Sequence, residues 1–154
     1  MTRSELLVRP LREADLPAVL ALEGRCFPDP WSEEVFRASL REERSLWLGA
    51  EWAGQLVGYA GMQWVLDEGY VDNLAVDPLF RRRGAASALL RAFFREAEAR
   101  ELAFLSLEVR IGNRGAAALY ASLGFREVGV RPGYYLQPPE DALIMTKYFK
   151  EETP

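Results

Sequence analysis

"DNLAVDPLFRRRGAASALL", Asp72 to Leu90, is the stretch on which the reading of this chain turns. Strand-like residues run up to Asp77-Pro78. Arg81, Arg82 and Arg83 follow, then Gly84, Ala85, Ala86 and Ser87, and then an apolar run at helical spacing. A helix beginning here exposes N–H groups that have no carbonyl one turn back. A glycine and two alanines leave those groups uncovered. A basic, glycine-bearing entry into a helix is how a backbone binds an anion, and a pyrophosphate suits it. A merely solvated basic entry is the other reading, and spacing alone leaves the two level. The stretch is neither a G-x-x-x-x-G-K-[ST] loop nor a G-x-G-x-x-G turn.

Upstream, "LLVRPLREADLP" starts with a strand over Leu6 to Arg9. Apolar spacing then predicts a helix from about Asp15, with Pro17 in its first turn, where a missing N–H costs nothing. Pro28 and Pro30 end it, and "WSEEVFRASL" reads as a second helix capped by Ser32. Residues 46–66 read as a β-hairpin around Ala53-Gly54-Gln55, and Gly69 to Val76 as a further strand. Downstream come a helix over Gly84 to Arg100, an alternating strand over Ala103 to Val109, and a helix from Asn113 to Leu123 that stops at Gly124. Two strands, Phe125 to Arg131 and Asp141 to Tyr148, finish the pattern, with "RPGYYLQPPE" expected as a loop between them. This order makes one α/β domain over residues 1–154, a mixed sheet with helices on its faces.

Composition narrows the chemistry. The net charge of −4 argues against a protein that coats nucleic acid. The chain has no histidine, which removes the usual general base and His-based metal sites, so acid–base work falls to carboxylates, tyrosine, lysine, cysteine or water. Cys26 is the single cysteine and is expected to be buried and inert. The opening "MTRSELLVRP" has no apolar signal segment, and no apolar run approaches a membrane span. A cytoplasmic location, no membrane partner and no metal are therefore expected.

"VDPLFRRRGAASALL" resembles the signature turn of the GNAT acetyltransferase superfamily, [Q/R]-x-x-G-x-[G/A], with Arg81, Gly84 and Ala86 in its fixed places. "FPDPWSEEVF", "VLDEGYVDNLAVDP", "LSLEVRIGNRGAAALYASLGF" and "RPGYYLQPPEDALIM" are similar, in order, to segments of the RimI-type ribosomal-protein-alanine N-acetyltransferases within it. The resemblance spans Pro28 to Met145. It implies the GNAT fold, a mixed, mostly antiparallel central sheet flanked by about four helices. It also implies acetyl-CoA as cosubstrate and direct attack by an amine. The natural target would be a protein N-terminus, the alanine end of the eighteenth small-subunit ribosomal protein. A lysine side chain, a small-molecule amine, and a non-catalytic acyl-CoA-binding module are the alternatives.

Residue by residue, the resemblance makes Glu108 the general base and Tyr120 the acid that meets the departing sulfur. By their own pattern alone, Glu108 is a solvated strand glutamate and Tyr120 a core tyrosine. Leu74, Ala75 and Val76 would pair their backbone with the pantetheine arm. Arg81 to Ser87 would hold the phosphates. Asn113 would contact the coenzyme, although a helix N-cap explains it equally. Tyr134 and Tyr135 would line the peptide entrance, and Asp67 and Glu68 would attract a cationic amine or simply end a hairpin.

Overall fold

The computed structural model describes residues 5–150. Among the described residues, seven strands form one sheet in the order β1-β2-β3-β4-β5-β7-β6, accompanied by four α-helices. The strands are β1 (Leu6–Pro10), β2 (Ser45–Trp52), β3 (Gln55–Val65), β4 (Glu68–Val76), β5 (Phe104–Arg110), β6 (Arg126–Leu136) and β7 (Pro139–Tyr148). The helices are α1 (Leu16–Cys26), α2 (Glu33–Arg41), α3 (Ala85–Ala99) and α4 (Arg114–Ser122). β4 and β5 run parallel, pairing Glu68 with Phe104 through Tyr70 with Ser106. β1–β2, β2–β3, β5–β7 and β6–β7 are antiparallel. The order and type of every element match the sequence reading.

The chain divides into two compact units, Met1–Gln63 with Asp72–Phe94, and Trp64–Val71 with Arg95–Pro154. In the first, Pro17 sits in the opening turn of α1, and the Ser32 hydroxyl accepts the Val35 N–H to cap α2. The turn between β2 and β3 has Ala53 at φ 51° and Gly54 at φ 82°, the left-handed pair that a tight hairpin demands. The core of this unit joins Leu16, Val19 and Leu22 of α1 with Phe36, Trp47, Tyr59 and Ala75. Gly61 pairs with Trp47 across β2 and β3, and a side chain at Gly61 would collide with the indole ring.

In the second unit β5 alternates as predicted, with Leu105, Leu107 and Val109 buried. Phe125, Ala142 and Met145 are buried in the same unit. One expectation fails here. "RPGYYLQPPE" is not a loop of about ten residues: β6 extends to Leu136 and β7 starts at Pro139, leaving a two-residue turn with a cis Gln137-Pro138 bond. Pro132 and Gly133 are residues that ordinarily weaken a strand. The pairing absorbs them instead in a register shift between Arg131 and Tyr135.

Candidate active site

The glycine-bearing turn lies in the first unit, where β4 hands over to α3. Asp77 is buried, and its Oδ1 accepts the Leu79 N–H at 3.0 Å while Oδ2 accepts from Arg25 at 3.1 Å. Its own N–H donates to Val57 O at 2.8 Å. The strand end is thereby pinned before the turn begins. Arg82 has φ 63° and Gly84 has φ 90°. The left-handed backbone at Gly84 gives a second reason for glycine there, beyond small size. Gly84 O accepts the Ala88 N–H at 2.9 Å, so Gly84 is the capping position of α3. The N–H groups of Ala85, Ala86 and Ser87 then open the helix with no carbonyl one turn back. They are the donors that a diphosphate would meet.

The three arginines differ. All are exposed, but the Arg83 guanidinium lies 5.7 Å from the Trp52 ring centroid and 5.9 Å from that of Phe80. Arg81 acts on Cys26, whose thiol donates to Val76 O at 3.4 Å. Cys26 is half-buried, not buried as expected: it is the last residue of α1 and packs against the edge of the core. Burial pushes its thiol up, with Arg81 pulling it back in part, so it stays protonated and unreactive. Among Leu74, Ala75 and Val76, Ala75 is buried, and the Leu74 N–H donates to Asn73 Oδ1 at 3.0 Å.

The first unit also holds a buried carboxylate. Glu23 is 1% exposed and accepts three bonds: from the Tyr59 hydroxyl, from Asn73 Nδ2 at 2.9 Å, and from the Trp31 N–H at 2.8 Å. It ties α1, β3, β4 and the segment before α2 together. Burial, then the Glu23 bond, drives the Tyr59 hydroxyl far above the usual phenol range. The sequence reading missed Glu23. Its signal was position: with Leu16, Val19 and Leu20 it continues the i, i+3, i+4, i+7 apolar face of α1.

The second unit carries a polar sheet face. Glu68 and Tyr70 of β4, Ser106, Glu108 and Arg110 of β5, and Glu140 of β7 share one face of the sheet by register. Glu108 is partly exposed, its side chain at 27%, and its Oε1 lies 3.5 Å from Arg131 Nε. Tyr70 donates to Glu68 Oε1 at 2.6 Å, and that bond raises its phenol. Tyr134 and Tyr135 meet edge to face at 5.0 Å. Burial pushes Tyr135 up to about 12, with Tyr134, Glu108 and Tyr120 adding to the rise and Arg110 opposing it. Tyr120 is buried on α4 beside Phe125, and burial alone pushes it up to about 12. It therefore remains a proton donor at any ordinary pH. Asn113 Oδ1 accepts the Ala116 N–H at 3.2 Å, so its capping role is visible. Among the described residues no group of three or more His, Cys, Asp or Glu could hold a metal ion, and no helix is long and apolar enough to cross a membrane.

The first unit thus holds a glycine-capped helix entry, and the second holds a carboxylate on a polar strand face and a buried neutral phenol. The profile of the Acetyltransferase (GNAT) family matches residues 16–125. The [ribosomal protein bS18]-alanine N-acetyltransferase of Escherichia coli strain K12 is 44% identical over 137 residues, covering 88% of this chain and 92% of that one. A putative enzyme of the same description from Bacillus subtilis strain 168 is 33% identical over 144 residues, covering 93% and 95%. The crystal structure of the Escherichia coli S18-alanine N-acetyltransferase matches with a TM-score of 0.87 at 39% identity over 96% of each chain. The chain belongs to the GNAT acetyltransferase family and, within it, to the RimI-type ribosomal-protein-alanine N-acetyltransferases. It is an enzyme that transfers acetyl from acetyl-CoA to an amine.

Proposed function

We propose that the enzyme acetylates the α-amine of a protein N-terminus, and that its substrate is the alanine end of the eighteenth small-subunit ribosomal protein. The carrying observation is the partly exposed Glu108 carboxylate on the polar face of β5, in a unit that also holds the buried, neutral Tyr120. An α-amine has a pKa of about 7.7–8.0 and a lysine about 10.4. Near neutral pH the α-amine is therefore uncharged several hundred times more often, within reach of a single carboxylate base. Glu108 takes the amine proton, directly or through a water. The amine attacks the thioester carbonyl, and Tyr120 gives its proton or a hydrogen bond to the departing sulfur. Arg81 to Ser87 hold the phosphates of the donor, and the backbone of Leu74 to Val76 lies along its pantetheine arm. Asn113 contacts the same coenzyme while capping α4. Tyr134 and Tyr135 flank the entering peptide. A ribosomal-protein substrate puts the reaction in the cytoplasm, and residues 1–154 act as one domain. A peptide array incubated with acetyl-CoA and mapped by mass spectrometry tests this reading. It is supported by acetylation at free N-terminal alanine and overturned by products confined to lysine or small amines.

A further inference from the structure

Arg110, a half-buried side chain of the second unit with several bonds, has no part in the chemistry above. Arg110 stands two residues beyond Glu108 on the same face of β5. One guanidinium nitrogen donates to Pro138 O at 2.9 Å and to Glu140 Oε1 at 3.2 Å, and the other terminal nitrogen donates to Gln137 O at 3.0 Å. The same guanidinium lies 4.2 Å from the centroid of the Tyr135 ring. The other carboxylate oxygen of Glu140 accepts the Gly112 N–H at 2.7 Å. Arg110 and Glu140 thus join the β6–β7 turn to the bend after β5, with Tyr135 stacked on the clamp. Both side chains are only 25% exposed, which separates this pair from ordinary surface ion pairs.

We infer that Arg110 is a positioning residue for the peptide. It fixes the Tyr135 ring and the β6–β7 turn relative to Glu108, and so sets where the incoming amine stops. The inference rests on the proposed roles of Glu108 and Tyr135. The clamp needs a planar fork that binds two carbonyls and a carboxylate while stacking on a phenol, and this is arginine's chemistry and not lysine's. An amine stopped even about 1 Å off the line of attack loses up to about a hundredfold in rate.

The test is steady-state kinetics of Arg110→Met, Arg110→Lys, Tyr135→Leu and the Arg110→Met/Tyr135→Leu double variant, with an N-terminal alanine peptide as the varied substrate. Acetyl-CoA affinity is measured by calorimetry and folding by thermal melting. Peptide kcat/KM should fall about tenfold to a hundredfold in Arg110→Met. Lysine should not restore it, acetyl-CoA affinity should hold, and the double variant should be little worse than the worse single one. Glu140→Gln, which keeps the shape and removes only the charge, should shift peptide KM in the same direction by less, and it serves if the Arg110 variants do not fold. A fall in active fraction with peptide KM unchanged, full rescue by lysine, or additive losses in the double variant would each overturn the inference. Glu108→Gln is run alongside: if that variant alone keeps wild-type activity, the proposed site fails, whereas a dead Glu108→Gln beside an unaffected Arg110→Met refutes only the clamp.

Discussion

The Gly84 turn and the polar face of β5–β7 are built from different materials. The turn presents backbone N–H groups, and its side chains are chosen for what they leave out: no Cβ at Gly84, methyl groups at Ala85 and Ala86. The polar face presents side chains, and each depends on another: Glu108 on Arg131, Tyr135 on Arg110, Arg110 on Glu140. A site made of backbone is written in consecutive residues. A site made of side chains is written across strands that pair only after folding. The first kind tolerates changes to charged neighbours, and the second does not.

The largest expected effect falls on the polar face. Glu108→Gln should lower kcat at neutral pH by about 10²- to 10⁴-fold, with acetyl-CoA affinity intact. The loss should shrink as pH rises past the α-amine pKa of about 7.7–8.0, because the amine then arrives deprotonated. Stopped-time acetylation assays from pH 6 to 9 check both parts, and a wild-type rate at pH 7 would remove Glu108 from the mechanism.

Tyr120→Phe comes next, with kcat down roughly tenfold to a hundredfold and peptide KM little changed. Because burial holds the folded phenol up near about 12, the wild-type rate should show no alkaline fall at the ordinary tyrosine pKa of 10. The linkage has a matching sign. A phenol raised on folding stabilises fully below its unfolded pKa of 10, and that contribution is lost as pH climbs through about 12. Alkaline denaturation of the wild type against Tyr120→Phe measures it.

At the turn, Gly84→Asp should weaken acetyl-CoA binding by tenfold or more, an order-of-magnitude figure for one misplaced charge and a strained φ. Arg82→Ala and Arg83→Ala should each cost less, about 1 kcal/mol or below, as exposed charges do. Calorimetry orders the three. If Arg83→Ala outweighs Gly84→Asp, the turn binds by side chains and the contrast collapses.

The smallest effect on chemistry and the clearest on stability belongs to Glu23. Glu23→Ala leaves the buried Tyr59 hydroxyl and the half-buried Asn73 and Trp31 donors without their acceptor, and an orphaned buried donor costs roughly 1–3 kcal/mol. Urea titration should show a large fall in midpoint, with kcat per folded molecule retained.

The same contrast explains what could be read from the sequence. The element order, the Ser32 and Asn113 caps, the alternation of β5 and the Gly84 turn all rest on local spacing, and the structure has them where the spacing put them. Glu108 and Tyr120 came from resemblance, because a strand glutamate and a helix tyrosine carry no local mark of function. Arg110 went unnoticed for a related reason: its partners at Gln137, Pro138 and Glu140 lie nearly thirty residues away and meet it only through β7. The loop that turned out to be strand shows the opposite error. Pro132 and Gly133 ordinarily weaken a strand, and pairing along the β6–β7 hairpin outweighs them.

The most direct measurement uses two peptides with the N-terminal sequence of the eighteenth small-subunit ribosomal protein. One has a free alanine terminus, and the other has that terminus blocked and a lysine available. Initial rates are followed by mass spectrometry at saturating acetyl-CoA. The account expects the free α-amine to be acetylated and the blocked peptide to react at least a hundredfold more slowly, in keeping with the pKa gap of about 2.5. Equal or faster acetylation of the blocked peptide would contradict it and make the enzyme a lysine acetyltransferase.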